Sequence, residues 1–303
     1  MSGSTSREAR PEPPFALSVD VEDYFQVQAF ASRVPRASWG DFPSRVVANT
    51  TRLLDLFDET GARATCFTLG WVAREHPALV REIARRGHEV ASHGMDHRMI
   101  TELTHAEFRA QAVESKALLE DLAGHAVRGY RAPSYSVGRG TLWALEILAE
   151  TGYAYDSSIY PIRRRRYGYP EGPTVPALLP AGKGTLAEFP MPTIGIGPAR
   201  LPVLAGAYLR LFPSWISLAA LARHAAARRP LVVNIHPWEI DPEQPTVTPP
   251  RRGPWTHYAR LGSTERILRE ILRRGPFDTV ASRLEELGLV TASPPGRASA
   301  SLP

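Results

Sequence analysis

The sequence predicts an α/β fold built on a parallel sheet with helices outside it. Three observations lead there: short apolar runs alternate with segments of helical period, glycines close two of the helical segments, and polar clusters rich in His, Asp, Glu and Arg recur where the apolar runs end. With 303 residues, 43% of them hydrophobic, the chain is long enough to bury one large core.

Phe15 to Val19 is a short apolar run that ends in carboxylates, and Val46 to Glu59 is an amphipathic helix closing near Gly61. The unit repeats: Ala64 to Leu69 reads as strand, His76 to Arg86 carries Leu79, Val80, Ile83 and Ala84 at helical spacing, and Gly87 supplies the stop before a strand at Glu89 to Ser92. A helix from about Thr104 to Leu122, a strand ending at Tyr130-Arg131, a helix from Gly140 to Thr151 and a short strand near Tyr153 to Tyr155 continue the alternation. From Pro161 to Pro213 the pattern loosens into Pro- and Gly-rich sequence around one strand, Thr185 to Pro190, which reads as an insertion or a cover over the site. Regularity returns with a helix at Ser214 to Arg228, a strand at Leu231 to Ile235, a helix at Ser263 to Arg274 and a strand at Phe277 to Val280. The expected organisation is one domain over 14–290, with a flexible N-terminus at 1–13 and a frayed Pro/Ser/Ala-rich tail at 291–303.

Composition removes several function classes. The single cysteine, Cys66, forms no internal disulfide, and its setting Ala64-Thr65-Cys66-Phe67 reads as buried strand. The N-terminal residues lack the apolar core of a signal peptide and no segment holds the roughly 18 uncharged apolar residues of a span, so the expectation is a cytoplasmic protein, with peripheral contact at the inner membrane face left open. Net charge is +5, but the basic residues are scattered arginines apart from Arg163-Arg164-Arg165-Arg166, and no aromatic-basic interleaving points to nucleic acid. That run reads as a solvated loop or as a contact for an acidic ligand.

The polar clusters carry the chemistry. Asp20, Glu22 and Asp23 bring three carboxylates together at the end of the first strand, where they repel unless a cation or a shared proton relieves them; a capping residue is the plainer reading of any one of them. In His88-Glu89-Val90-Ala91-Ser92-His93-Gly94-Met95-Asp96-His97, the spacing of His93 and His97 lets both imidazoles face one ion, while His88 reads as structural. Arg131 precedes a rigid turn, Ala132-Pro133-Ser134-Tyr135, and is placed to pair with a carboxylate of the first strand. Asp156 and His236 sit at later strand ends, where an Asp-held imidazolium makes a general acid. Tyr160, Trp238 and Tyr135 are candidates for stacking against sugar rings, against a plain core reading.

In order and spacing the five fragments SVDVED, SHGMDH, RAPSY, DSSIYP and NIHPW resemble the motifs of the polysaccharide deacetylase family with a NodB-type domain, the fourth group of carbohydrate esterases. The wording SVDVEDYFQ, ATCFTLGW, RAPSYS and DSSIYP is closest to the subgroup linked to exosortase-associated exopolysaccharide loci, whose C-terminal extension looks here like Gly206 to Tyr208 and His257 to Arg260. The resemblance implies a distorted (β/α) barrel and a metal-dependent de-N-acetylase acting on N-acetylhexosamine units of an exopolysaccharide, an oligosaccharide or a lipid-linked glycan precursor. It implies His93, His97 and either Glu22 or Asp23 as ligands of a divalent ion, zinc or alternatively cobalt. Asp20 would be the general base held by Arg131, the backbone amide of Ser134 or Tyr135 the oxyanion donor, and His236 the acid, its ring held by Asp156. Most family members have adjacent aspartates in the first motif, whereas Val21 intervenes here, which leaves the third ligand open between Glu22 and Asp23. Two other functions stay open: an amidohydrolase acting on a small cyclic amide or ureide with the same metal site, and a catalytically silent carbohydrate-binding scaffold.

Overall fold

A computed structural model describes residues 15–164, 167–197, 199–247 and 255–292. The expected flexible N-terminus, most of the expected tail, and Arg165 and Arg166 of the arginine run lie outside the described residues.

The alternation appears as β1 (Phe15–Val21), α1 (Val46–Thr60), β2 (Thr65–Thr68), α2 (Gly70–Glu75), α3 (Pro77–Arg85), β3 (Glu89–Ser92), α4 (His105–Ala123), β4 (Gly129–Tyr130), α5 (Trp143–Glu150) and β5 (Tyr155–Asp156). Then follow β6 (Ala177–Ala181), β7 (Gly184–Glu188), β8 (Thr193–Ile196), β9 (Ala199–Pro202), α6 (Ala207–Leu211), α7 (Ser214–Ala226), β10 (Leu231–Ile235), α8 (Trp255–Tyr258), α9 (Leu261–Leu272), β11 (Phe277–Asp278) and α10 (Val280–Glu286).

The main sheet runs β10-β1-β2-β3-β4-β5-β7-β6, with β11 beside the start of β1, and only β6 and β7 pair antiparallel within it. β1 and β10 are buried along their whole length, as strands covered on both faces should be. The ring closes without a regular strand: Val203 donates to the Pro192 carbonyl just past β7, Asn234 of β10 donates to the Leu204 carbonyl, and Gly206 donates to Asn234. The architecture is therefore a distorted (β/α) barrel, and its C-terminal strand ends open on one face, where loops build the site.

Local chemistry sets the boundaries. Thr104 and Glu107 form a reciprocal capping box at α4, and Gly61 and Gly124 end α1 and α4 in the left-handed conformation. Pro77 opens α3 at the position where a missing N–H costs nothing, which separates it from α2.

The region 161–213 differs from expectation. It holds two antiparallel hairpins, β6–β7 and β8–β9, and α6, rather than loose sequence around one strand. Pro180, Gly195 and Pro202 mask these strands in the sequence; Pro180 is tolerated because β6 is the sheet's edge. The last strand also stops early, at Asp278, because the Thr279 side chain accepts from the Ser282 amide and starts α10.

Candidate active site

Four strand ends converge on one cleft of about 370 Å³, lined among others by Asp20, Glu22, His93, His97, Tyr135 and His236. The volume falls within the ordinary range for small-ligand sites.

Asp20 is buried and its Oδ1 accepts from Arg131 Nη1 at 2.7 Å, while Oδ2 lies 3.2 Å from Asn234 Nδ2 and 3.5 Å from His236 Nε2. Burial alone would raise its pKa; the charge of Arg131, with His93 and His236 nearby, outweighs burial and holds it below the usual range. Arg131 is itself fully enclosed: it also donates to Asn234 Oδ1 at 2.7 Å and to the Ser157 carbonyl and hydroxyl at 2.9 and 2.8 Å, and its guanidinium stacks 4.0 Å over the Phe67 ring.

Glu22, His93 and His97 each present a ligand atom, and these atoms all lie within 4.8 Å of one another. His93 Nδ1 bonds the Arg131 carbonyl at 2.9 Å, which directs Nε2 inward, and burial depresses its pKa to about 4, keeping the ring neutral as a ligand must be. His97 Nε2 and Glu22 Oε2 stand 2.7 Å apart, yet Glu22 Oε2 is buried without a well-aligned hydrogen bond among the described residues. Glu22 Oε1 accepts from Trp238 Nε1 at 3.3 Å. Burial opposes ionisation of Glu22, and the neighbouring His97 pulls its pKa down to about 2. Two imidazoles and one carboxylate with an orphaned buried oxygen fit a divalent cation.

The loop that carries the histidines is not helical. It is clamped by the start of α2, where Gly70 and Trp71 donate to the Gly94 and Met95 carbonyls at 2.8 and 2.9 Å. A Cβ at Gly70 would lie 2.3 Å from the Met95 sulfur and 3.1 Å from its Cα, so a larger residue there would require Met95 to shift. His97, Ser134 and Tyr135 all have positive φ, and all three line the cleft, as strained residues at functional sites commonly do.

Several expectations need correction. Asp23 is not beside the histidines: its Oδ2 accepts from the Ser44 hydroxyl and from the Arg45 and Val46 amides at 2.7, 2.9 and 3.2 Å, capping α1. Of the two acids left open in the sequence, Glu22 is the one in the cluster. Asp156 does not hold His236. His236 Nδ1 is bonded to Glu239 Oε2 at 2.9 Å, and Glu239 also accepts from Arg210 Nε at 2.9 Å. Burial would suppress the imidazolium, but Glu239, with Glu22 and Asp20, raises the His236 pKa to about 9. The Tyr135 amide is committed to the Ala132 carbonyl at 3.0 Å, which leaves Ser134 as the candidate oxyanion donor; the Tyr135 hydroxyl accepts from Asn234 Nδ2 at 2.8 Å. Trp238 is no open platform, because its ring is stacked between His236 and His257 at 5.1 and 4.2 Å. Tyr160 lines the cleft but is 1% exposed, packed against Tyr135, Tyr167 and Tyr208. His88 is structural, its Nδ1 accepting from the Ala64 amide at 3.2 Å.

Glu239, Arg210, Asn234 and Ser158 were missed in the sequence. Glu239 had a signal: it follows His236 by three residues, the capping-box spacing, and its carboxylate does bond the His236 amide at 3.0 Å. Arg210 had none.

Residues 38–155 match the polysaccharide deacetylase family, and residues 157–285 match a domain of unknown function, DUF3473. The first of these stretches, less than half of the chain, is similar to polysaccharide deacetylases. Pairing of these two domains is typical of exosortase-associated members, the subgroup resembled by the motif wording. Among relatives, the chain is 32% identical over 98 residues to a peptidoglycan-N-acetylglucosamine deacetylase of Bacillus cereus, covering 32% of this chain and 36% of that protein. It is 30% identical over 106 residues to a chitooligosaccharide deacetylase of Sinorhizobium fredii, covering 35% of this chain and 46% of that protein. The matched stretch thus spans less than half the length of these relatives. In fold, the chain matches a candidate polysaccharide deacetylase of Mycobacterium smegmatis with a TM-score of 0.59 at 22% identity, over 95% of this chain and 96% of that one. An allantoinase, PuuE, matches with a TM-score of 0.57 at 15% identity, over 94% and 96%. Asp20 and Glu22 precede the stretch that matches the deacetylase family, so their place in the site rests on the geometry.

Proposed function

We propose that the protein is a metal-dependent de-N-acetylase that removes acetyl groups from N-acetylhexosamine units of an exopolysaccharide or of its oligosaccharide or lipid-linked precursor. The observation that carries this reading is the position of Asp20: one carboxylate oxygen is bound by buried Arg131, and the other faces the cleft 3.5 Å from His236 Nε2, beside the Glu22-His93-His97 cluster.

Glu22, His93 and His97 would hold the ion, and when bound a divalent cation acidifies water and polarises the acetamide carbonyl. Asp20 Oδ2 takes the proton of the attacking water, and the Arg131 bond to Oδ1 keeps that carboxylate ionised and aimed. The Ser134 amide donates to the oxygen that gains charge at the tetrahedral stage. His236 Nε2 then gives a proton to the departing nitrogen, with Glu239 fixing its other ring nitrogen. The C–N bond breaks to leave acetate and a free amine. Tyr135 supplies an aromatic wall to the cleft for a sugar ring, backed by buried Tyr160.

Acetate release from N-acetylglucosamine oligomers, measured on chelated protein before and after adding zinc or cobalt, tests the reading against ring opening of a cyclic ureide. Metal-restored acetate release is expected. Ureide opening without acetate release would replace the proposal with an amidohydrolase, and metal binding with neither activity would replace it with a scaffold.

A further inference from the structure

The Asp-Ser-Ser segment at the end of β5 lies behind the cleft and none of the catalytic steps uses it. Asp156, Ser157 and Ser158 are all fully buried. Ser157 accounts for one of them, since it bonds Arg131 and donates to the Phe189 carbonyl at 2.8 Å. Asp156 and Ser158 form a separate chain. Ser158 Oγ donates to Asp156 Oδ1 at 2.5 Å and accepts from the Ala132 amide at 2.7 Å. Asp156 is opposite Glu188 in the β5–β7 register, and Glu188 Oε1 accepts from the Ile159 amide at 2.9 Å. The remaining oxygens, Asp156 Oδ2 and Glu188 Oε2, are buried with no donor from any other group among the described residues.

We infer that Asp156, Glu188 and Ser158 are positioning residues, a buried carboxyl pair that acts through Ser158 to hold the Ala132-Pro133-Ser134-Tyr135 turn and so aim the Ser134 amide. The turn needs a holder because two consecutive residues, Ser134 and Tyr135, have φ of 55° and 52°, a conformation that neither residue type favours. Its entrance at Ala132 is fixed by the Ser158 bond and its exit by the Tyr135 amide to the Ala132 carbonyl. Two carboxyl groups at adjacent register positions, with no cation bonded to either, hold a proton between them. Burial raises both, Asp156 to about 6 and Glu188 well above its ordinary range. The shared proton lets Asp156 Oδ1 remain the acceptor that Ser158 requires, so the Ser158 hydroxyl hydrogen points at Asp156 and its lone pair at Ala132.

The inference rests on the oxyanion role proposed for Ser134, and its test separates the two. With metal-loaded full-length protein and N-acetylglucosamine oligomers, Ser158→Ala is expected to lower kcat roughly ten- to a hundredfold, below the loss from deleting a whole oxyanion donor. KM and metal bound per chain should stay within about twofold, since only the transition state uses the donor. Asp156→Asn should remain within about threefold of wild type: its amide oxygen accepts from Ser158 and its NH2 donates to Glu188. If Ser158→Ala does not fold, Ser158→Cys, a weak hydrogen-bonding near-isostere, carries the same expectation. Hydrogen exchange of the Ala132, Ser134 and Tyr135 amides should rise in the Ser158 variant, a readout that stands even if wild type releases no acetate. Unchanged exchange and kcat, or a parallel loss of kcat, KM and metal, would overturn the inference.

Discussion

Two pairs of acids are equally buried in this barrel and differ in protonation: the front pair is ionised, and the rear pair shares a proton. Asp20 and Glu22, at the mouth, are 2% exposed and held below the usual carboxylate range; Asp156 and Glu188, one layer behind, are 0% and 1% exposed and pushed above it. Burial acts the same way on all four. What differs is the company: Arg131 bonds Asp20 and three histidines face the front pair, whereas the rear pair feels Arg131 only through space and bonds to neutral groups, Ser158 and the Ile159 amide. The front pair is thereby fitted to accept a proton or a cation, and the rear pair to hold a proton and keep a shape.

The largest difference between the two pairs should come from removing a ligand of the front cluster. His93→Ala should drop bound metal from near one per chain to below about a tenth and abolish acetate release, read by metal analysis and product assay; the rear pair should leave both intact when altered to Asp156→Asn. Next in size, Glu239→Gln should lower kcat/KM about ten- to a hundredfold by loosening His236, in line with loss of a group that orients a site residue. Equal losses from Asp156→Asn and Glu239→Gln would return the His236-holding role to Asp156. The smallest effect is on stability. Because the rear carboxyls have raised pKa values, their contribution is complete below the unfolded carboxylate range near pH 4 and is lost as pH rises, Asp156 first near about 6 and Glu188 higher. In chelator, wild type should therefore lose Tm relative to Glu188→Gln between pH 5 and 8; parallel curves would mean that the pair holds no extra proton.

The same contrast explains what was legible in the sequence. The longer helices and most parallel strands were readable because their period and caps are local, as at Thr104-Glu107 and Gly61, whereas the short helices α2, α6, α8 and α10 were not. The hairpins between 177 and 202 were not, because Pro and Gly inside them signal loop unless the edge position of β6 is known. In the site, Asp20, Glu22, His93, His97, Arg131 and His236 stand out as polar residues at the ends of apolar runs, and the fold brings them together. Partners set by register are silent in sequence: Glu188 faces Asp156 across β5–β7, and Arg210 reaches Glu239 from a helix 29 positions away. Asp23 and Asp156 were the costly cases, since a cap and a rear scaffold look like ligands or catalytic acids when only spacing is visible.

The account stands on Asp20 as the base beside an independent metal cluster. Asp20→Asn, loaded with zinc and assayed on N-acetylglucosamine oligomers with metal content measured on the same sample, tests that directly. The prediction is about one metal per chain with acetate release down by roughly a thousandfold, the middle of the range for loss of a general base. Near wild-type release from the metal-loaded variant would contradict it.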